Sequence, residues 1–390
     1  MQYRKFSADR IFTGYRLVED QVLIIGSEGE VIDLVPSAEA GDSVQRLEGI
    51  LVPGFVNCHC HLELSHMKGM IPEGTGLVDF VYRIVTGRHH TEAEIIQAIS
   101  YAEEEMIQSG IVAVGDICNT ALTLSQKKKG HLQYYNFIEA SGWLPSIAEA
   151  RFNRSLDLFK QFSELPGGMA ATSIVPHAPY SVSKALWELL QAQYRNRVVS
   201  MHNQETAFED EFFLHGTGDF NRMYKLMNID NSHHRPSGLS SIRSCYSLLS
   251  NAASLILVHN TFMGENDADF VMEQAGRSGP LPYFCLCINA NLYIEKALPP
   301  VAMLREKNAA IVLGTDSLAS NWQLSIVEEI NTLLENFPLL GLEEVLAWAT
   351  INGAKALQME GKLGSFEKGK NPGLVVLTEE RGKFKSSILK

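Results

Sequence analysis

Cysteine is scarce, six among 390 residues, far below the density of a disulfide scaffold. The opening Met1-Gln2-Tyr3-Arg4-Lys5-Phe6 lacks the apolar run of a secretory leader, so the expected compartment is the reducing cytoplasm. Long apolar runs are missing too. A membrane helix needs roughly 20 apolar residues in a row, and the best stretch here, Ala309-Ala310-Ile311-Val312-Leu313, has the length of one strand. No membrane partner is expected. Positive charge is in deficit, with 33 Lys and Arg against 45 Asp and Glu and a formal net charge of -12. That balance repels an extended polyanion, which excludes a nucleic-acid polymer held on a broad basic surface and favours a small-molecule substrate. The only charge run, Lys127-Lys128-Lys129, reads as a solvated turn. No internal repeat is present, and the oligomeric state is left open, a homo-oligomer included.

What is present suits a folded protein: 45% hydrophobic and 20% charged residues, on a chain long enough for a barrel and a smaller second core. Residues 1 to about 50 read as short β segments, among them Val22–Gly26 and Val31–Pro36, and the idiom returns between Gly361 and Thr378. Both ends are therefore expected to build one lobe. Between them, short apolar runs alternate with segments of helical period, as in successive βα units around a parallel sheet. Ile95, Ile96, Ile99, Ala102 and Met106 form one such helical stripe, followed by the strand Ile111–Asp116. The other expected strands are Val52–His61, Tyr134–Glu139, Thr172–Pro176, Val198–His202, Leu255–His259, Tyr283–Leu286 and Ile311–Gly314. Helices are expected at Lys184–Tyr194, Asp267–Arg277, Val301–Lys307 and Glu343–Leu357. Eight strands are the number that closes a (β/α)8 barrel. The polar stretch Glu209–Ser250 reads as a long excursion of the kind that covers sites.

His59 and His61 end the first strand, and period-2 geometry puts both imidazoles on one face, with Cys58 and Cys60 pointing away. His202 closes another strand with Glu205 three residues on, His259 closes a third, and Asp316 follows a fourth. Singly, His202 or His259 serves equally well as a hydrogen-bonded core histidine, and Asp316 as a helix cap. In a parallel barrel, however, C-terminal strand ends converge on one mouth. Three neutral imidazoles and a carboxylate there make a nitrogen and oxygen donor set for Zn²⁺ or Fe²⁺ with a place left for water, which the metal acidifies enough to supply hydroxide near neutral pH. No Lys ends the strand Thr172–Pro176 to bridge a second ion, so one metal is expected.

These residues resemble the amidohydrolase superfamily, in its branch of metal-dependent nucleobase and triazine deaminases and chlorohydrolases. The matching runs are Leu51-Val52-Pro53-Gly54-Phe55-Val56-Asn57-Cys58-His59-Cys60-His61, Pro176-His177-Ala178-Pro179-Tyr180-Ser181, His202-Asn203-Gln204-Glu205, Val258-His259-Asn260, Leu313-Gly314-Thr315-Asp316-Ser317 and the tail Ala349–Leu357. The resemblance implies an α/β fold, a (β/α)8 TIM barrel over residues 51–359 with a small β-sandwich lobe from residues 1–50 and 360–390. It also implies a single metal on His59, His61, His202 and Asp316. Glu205 would carry a proton to a substrate ring nitrogen, His259 would hydrogen-bond the attacking hydroxide or developing oxyanion, and Asp316 would pass a proton to the leaving amine. His177 and Tyr180 would touch substrate. Glu63 and His66 could line the same mouth or be ordinary surface polar groups, while Trp143, Phe212, Phe213 and Trp322 are more simply core aromatics than stacking platforms.

Two runs depart from the family pattern. Its usual Cys-Pro-x-Ser-Asn is here Cys287-Ile288-Asn289-Ala290-Asn291, in a loop beside the pocket that bears on binding preference, and an acidic residue of the tail is replaced by Gly373. The run His61-Leu62-Glu63-Leu64-Ser65 is similar to aminodeoxyfutalosine deaminases, which makes an adenine-bearing nucleoside one candidate. The expected activity is hydrolytic deamination of an aminated heterocycle. The rival readings are hydrolysis of another non-peptide C–N bond, in a cyclic imide, formimino compound or small amide, and a non-catalytic metal-binding scaffold.

Overall fold

A computed structural model describes residues 3–87 and 90–389; Met1 and Gln2, on which the leader reading begins, lie outside the described residues. The middle of the chain holds eight strands: β1 (Phe55–Cys60), β2 (Ile111–Cys118), β3 (Gln133–Ala140), β4 (Thr172–Pro176), β5 (Val198–Asn203), β6 (Ser254–His259), β7 (Leu281–Leu286) and β8 (Ile311–Leu313). Their near-continuous apolar character suits strands covered on both faces, and they form two parallel sheets, β4-β3-β2-β1 and β5-β6-β7-β8. Backbone bonds join the sheets at both seams. The His202 amide donates to the His177 carbonyl at 2.9 Å, and the Thr315 and Asp316 amides both donate to the His59 carbonyl at 3.0 Å. Gly314 permits the second seam. A Cβ there would lie 2.9 Å from each of Cys285 Sγ, Cys287 Sγ and His59 Cβ, a distance at which something must shift.

The strand expected at Val52–His61 divides at Gly54. Ile50–Pro53 leaves the parallel array and pairs antiparallel with Leu374–Glu380, while β1 starts at Phe55. A Cβ on Gly54 would come within 2.3 Å of Val112 Cγ1 and 2.7 Å of the Pro372 carbonyl, so the crossing point admits only glycine. Leu374–Glu380 and Ile50–Pro53 are central in a five-stranded sheet with Lys383–Ile388, Arg10–Phe12 and Leu17–Val18. A four-stranded sheet of Val31–Pro36, Gln21–Ile25, Arg4–Ser7 and Val44–Arg46 stands beside it. Phe6, Leu23 and Ile25 from one sheet share an apolar cluster with Ile11, Leu51, Leu374 and Val376 from the other.

The helical stripe of Ile99, Ala102 and Met106 lies on Glu92–Gln108. Its start carries a capping box, in which Thr91 and Glu94 satisfy each other's backbone amides. The expected helix Glu343–Leu357 is interrupted: Leu342–Ala347 passes through a π-turn at Trp348–Asn352 into Gly353–Ala356. The excursion 209–250 is not a bare loop. It contains Phe208–His215, Phe220–Leu226 and Ser241–Cys245, and its Phe212, Phe213, Phe220, Met223 and Tyr224 join Leu64, Leu77, Phe80 and Trp143 in a second apolar cluster. Arg222 ties this cover to the helix Leu77–Thr86, meeting the Asp79 carboxylate with two bonds of 3.1 and 3.0 Å. Among the described residues no helix is long and apolar enough to cross a membrane.

The lysine run corrects its expectation. Lys128 and Lys129 are exposed, but Lys127 is buried. Its Nζ lies 2.6 Å from Asp116 Oδ2 and donates to Asn136 Oδ1 at 2.9 Å. Asp116 Oδ1 in turn accepts the amide of Leu62 at 2.9 Å, so the ion pair holds the turn that follows His61. Charge counting in sequence sees three adjacent lysines; only the fold shows that one aligns with a buried aspartate on β2. Removing one member of a buried pair strands the other charge, so Lys127→Met should lower the unfolding free energy by about 3–5 kcal/mol, measured as a fall in the urea midpoint at unchanged m-value.

Candidate metal and catalytic site

Strand ends deliver the donors. His59 lies in β1, His61 just beyond it, His202 near the end of β5, and Asp316 after β8 in a left-handed turn with φ 56°. His61 Nε2 is 3.3 Å from His202 Nε2, and Asp316 Oδ1 is 3.4 Å from His61 Nε2 and 3.5 Å from His59 Nε2. Ligand atoms of His59, His61 and His202 all fall within 4.8 Å of one another. Nitrogen and oxygen ligands about 2.0–2.1 Å from one tetrahedral ion sit about 3.3 Å apart, so the spacing is that of a single ligand set. Neither ring nitrogen of the buried His59 has a hydrogen-bond partner, a cost of about 1–3 kcal/mol for each orphaned atom that a cation would remove at the ligating nitrogen. The residues present therefore fit one divalent ion. Cys58 and Cys60 are buried free thiols, and among the described residues no candidate metal group includes a cysteine.

The protonation states agree with ligation. His202 Nδ1 bonds the His177 carbonyl at 2.8 Å; a carbonyl only accepts, so the proton sits on Nδ1 and Nε2 is bare toward His61. Burial lowers His61 to about 3, against the opposing pull of Asp316, and lowers His177 to about 4 with His59 and His259 adding to the effect. Burial, with neighbouring imidazoles, also lowers His202. Neutral imidazoles are the form that binds a metal.

Beside the donors, His259 Nε2 lies 3.6 Å from Glu205 Oε1. His259 takes a left-handed backbone at φ 72°, and its Nδ1 is 2.8 Å from Asn291 Oδ1. Burial first, then the charges of Asp316 and Glu295, raises the Glu205 carboxyl well above its usual range, which favours its protonated form. A cavity of about 650 Å³ opens over this floor, which carries His61, His177, His202, Glu205, His259 and Asp316. Its outer wall is apolar, with Leu77, Phe80, Val81, Trp143, Met223 and Met227.

Tyr180 and Glu63 line the same cavity. Glu63 is no surface polar group: it is buried, and its Oε2 accepts the amides of Asn119 and Thr120 at 3.2 and 3.0 Å and the Thr120 hydroxyl at 2.8 Å. His66 is half-buried outside the cavity lining, Phe212 and Phe213 are core of the cover, and Trp322 is largely exposed with its Nε1 on Glu73 at 2.8 Å. Two polar residues escaped the sequence reading. Glu139, at the end of the expected strand Tyr134–Glu139, reaches the cavity and forms with His177 and His202 a second group that can hold an ion. The Nδ1 of His202 that faces Glu139 at 3.8 Å already gives its proton to the His177 carbonyl, so this group is better described as a polar wall. The second is Asn291. Its run was assigned to a loop governing binding preference, but Ile288–Glu295 is a helix, and Asn291 reaches His259 itself.

A family model described as the amidohydrolase family matches residues 50–387. Over 332 residues the chain is 26% identical to an adenosine deaminase of Helicobacter pylori, covering 84% of this chain and 78% of that protein. Helicobacter pylori aminofutalosine deaminase, solved in complex with methylthio-coformycin, superposes with a TM-score of 0.78 at 21% identity, covering 97% of this chain and 93% of that one. An adenosine deaminase of Xanthomonas campestris with bound zinc superposes with a TM-score of 0.70 at 22% identity, covering 96% and 84%. These likenesses show a shared fold.

If the four donors act as one ligand set, protein purified without chelator carries about one divalent ion per chain, and His202→Ala carries a small fraction of that. Plasma mass spectrometry of both proteins checks it, with Asn291→Ala, which touches no donor, expected to keep its full complement.

Proposed function

The chain belongs to the amidohydrolase family, and from that premise we propose that it hydrolytically deaminates an adenosine-type nucleoside, releasing ammonia. One observation carries the reading: a four-donor cluster shares a cavity floor with a buried Glu205 that faces His259 and whose proton affinity burial raises. A ring nitrogen must be protonated before the carbon beside it accepts hydroxide, and plain amide hydrolysis has less use for such an acid. The two parallel sheets, bonded at both seams, are read as one (β/α)8 barrel that starts at Gly54, since Ile50–Pro53 belongs to the lobe's sheet. The terminal strands, from residues 1–50 and 360–390, are read as a β-sandwich lobe. The site then lies at the C-terminal mouth, where barrel enzymes place their chemistry.

In this reading His59, His61, His202 and Asp316 hold one divalent ion, zinc in preference to iron given three imidazoles and a carboxylate at tetrahedral spacing. Such an ion, when bound, lowers the pKa of water toward neutrality and so supplies hydroxide. Glu205 gives its proton to the ring nitrogen. His259, its Nδ1 proton engaged by Asn291, presents a bare Nε2 that accepts a hydrogen bond from the attacking oxygen. Asp316, whose Oδ2 is held by the Ser320 hydroxyl at 2.5 Å, passes the nucleophile's proton to the departing amine. His177, Tyr180 and Glu63 line the substrate cavity. The apolar outer wall suits an apolar substituent on the nucleoside, in keeping with a similar protein solved with methylthio-coformycin, whose methylthio group is apolar. Six free, buried thiols fit a reducing compartment, so the cytoplasm is part of the proposal.

Glu205→Gln should keep its metal and lose at least about 10²-fold in kcat, read by ammonia release from adenosine and 5′-methylthioadenosine. Undiminished turnover in the variant would remove Glu205 from the role, and a ring-opened acid in place of ammonia would remove deamination.

A further inference from the structure

The peptide that carries Glu205 is bent where an ordinary residue resists bending. β5 ends at Asn203, and Gln204 turns with φ 43°, a left-handed backbone that costs an L-residue about 1–2 kcal/mol. The bend directs Glu205 toward His259. It also takes the amides of Gln204 and Glu205 out of any strand pairing. Both are met by one side chain: Glu209 Oε1 accepts the Gln204 amide at 3.1 Å, and Glu209 Oε2 accepts the Glu205 amide at 3.3 Å. Glu209 is fully buried in the first turn of Phe208–His215.

The bend is braced from a second side. Gln204 Nε2 donates to Asp210 Oδ2 and to Asp267 Oδ2, each at 2.8 Å. Asp210 Oδ1 accepts the Ser241 amide at 2.8 Å, and Asp267 Oδ1 takes Arg243 Nε at 2.6 Å. The start and the end of the excursion are thereby tied to the same two residues. A buried carboxyl is a poor choice for stability alone: burial pushes Glu209 up to about 8, against the pull of Ser241 and the Gln204 amide. An apolar residue would be less costly to bury but would leave two amides without acceptors.

Resting on the deaminase reading, we propose that Glu209 is a positioning residue for that reaction: its carboxyl clamps the Gln204–Glu205 peptide in its left-handed bend and so holds the Glu205 side chain at proton-transfer distance from substrate. Glu209 does not touch substrate and acts only through Glu205. A near-isosteric amide keeps the volume but places an NH2, which cannot accept, against one of the two backbone amides that the carboxyl meets with oxygen in either protonation state.

The test is a double-mutant cycle on the metal-loaded protein with Glu209→Gln, Glu205→Gln and the pair, assayed by ammonia release. Glu209→Gln should lose about 10²-fold in kcat, the scale of a misplacement of about 1 Å, with KM within about threefold, as for an interaction made in the transition state, and metal content unchanged. In the pair, the second substitution should add nothing to the loss from Glu205→Gln, because residues acting as one unit are not additive. Multiplying penalties, a kcat within about twofold of the parent, or a loss that tracks missing metal would each overturn the proposal. Hydrogen exchange of a peptide spanning 203–206 reads the clamp without any reaction. Faster exchange there in Glu209→Gln is expected, and unchanged exchange overturns the clamp. Absence of ammonia from the parent with faster exchange in the variant would sink the deaminase reading and, with it, Glu209's part in that reaction, while leaving the geometry of the clamp intact.

Discussion

The arrangement of this protein turns on lone pairs that have nothing of their own to bind. Neither ring nitrogen of the buried His59 has a hydrogen-bond partner, His202 turns a bare Nε2 to His61, and an aspartate oxygen stands within 3.5 Å of two of the imidazoles. Several acceptors in one dry space repel each other and find no solvent. A cation among them would relieve that repulsion, and the surrounding backbone keeps the cluster in place. The seam that joins β8 to β1 is made by amides of Thr315 and Asp316 on the carbonyl of His59. The other seam uses the carbonyl of His177, which also orients the ring of His202. Closing the sheets and aiming the ligands are therefore one set of hydrogen bonds.

Much of this could be read in the chain before the fold was known. Period-2 alternation in a strand is enough to put His59 and His61 on one side and the cysteines between them on the other, and short apolar runs ending in His or Asp mark the ends that a parallel array gathers together. The departures have physical causes. A glycine inside an apolar run does not announce that the strand changes sheets, and at Gly54 that depends on contact with Val112 and Pro372, distant in sequence. Lys127 looks like its exposed neighbours because its partner Asp116 lies on another element, and a buried ion pair leaves no local periodicity. Asn291 follows the same rule: its meaning comes from His259, thirty-two residues upstream. Glu139 was legible in principle, since it ends a strand at the same mouth, but a lone carboxylate at a strand end carries no spacing to distinguish it.

Over the floor sits a cover of different character. The excursion supplies Met223, Tyr224 and Met227, and the helix Leu77–Thr86 supplies Leu77, Phe80 and Val81, so the cavity changes from ionisable at its base to apolar at its rim. Methionine side chains adapt to irregular shapes, and a rim built with them discriminates by size and greasiness more than by hydrogen bonding. The polar groups lie at the base, where Glu63, Glu139 and His177 are restrained by backbone and side-chain bonds. The ionisable base and the apolar rim thus reside on separate elements, one braced by sheet and the other by helix packing.

The seam at His59 has a further meaning for how the protein comes into being. It unites the first parallel strand with the last, so a growing chain holds the three imidazoles once His202 is made but has neither the seam nor the carboxylate until it reaches Asp316. A chain stopped before residue 316 would lack the carboxylate and the seam together, so closure of the sheets and completion of the four-donor cluster would be lost at one point.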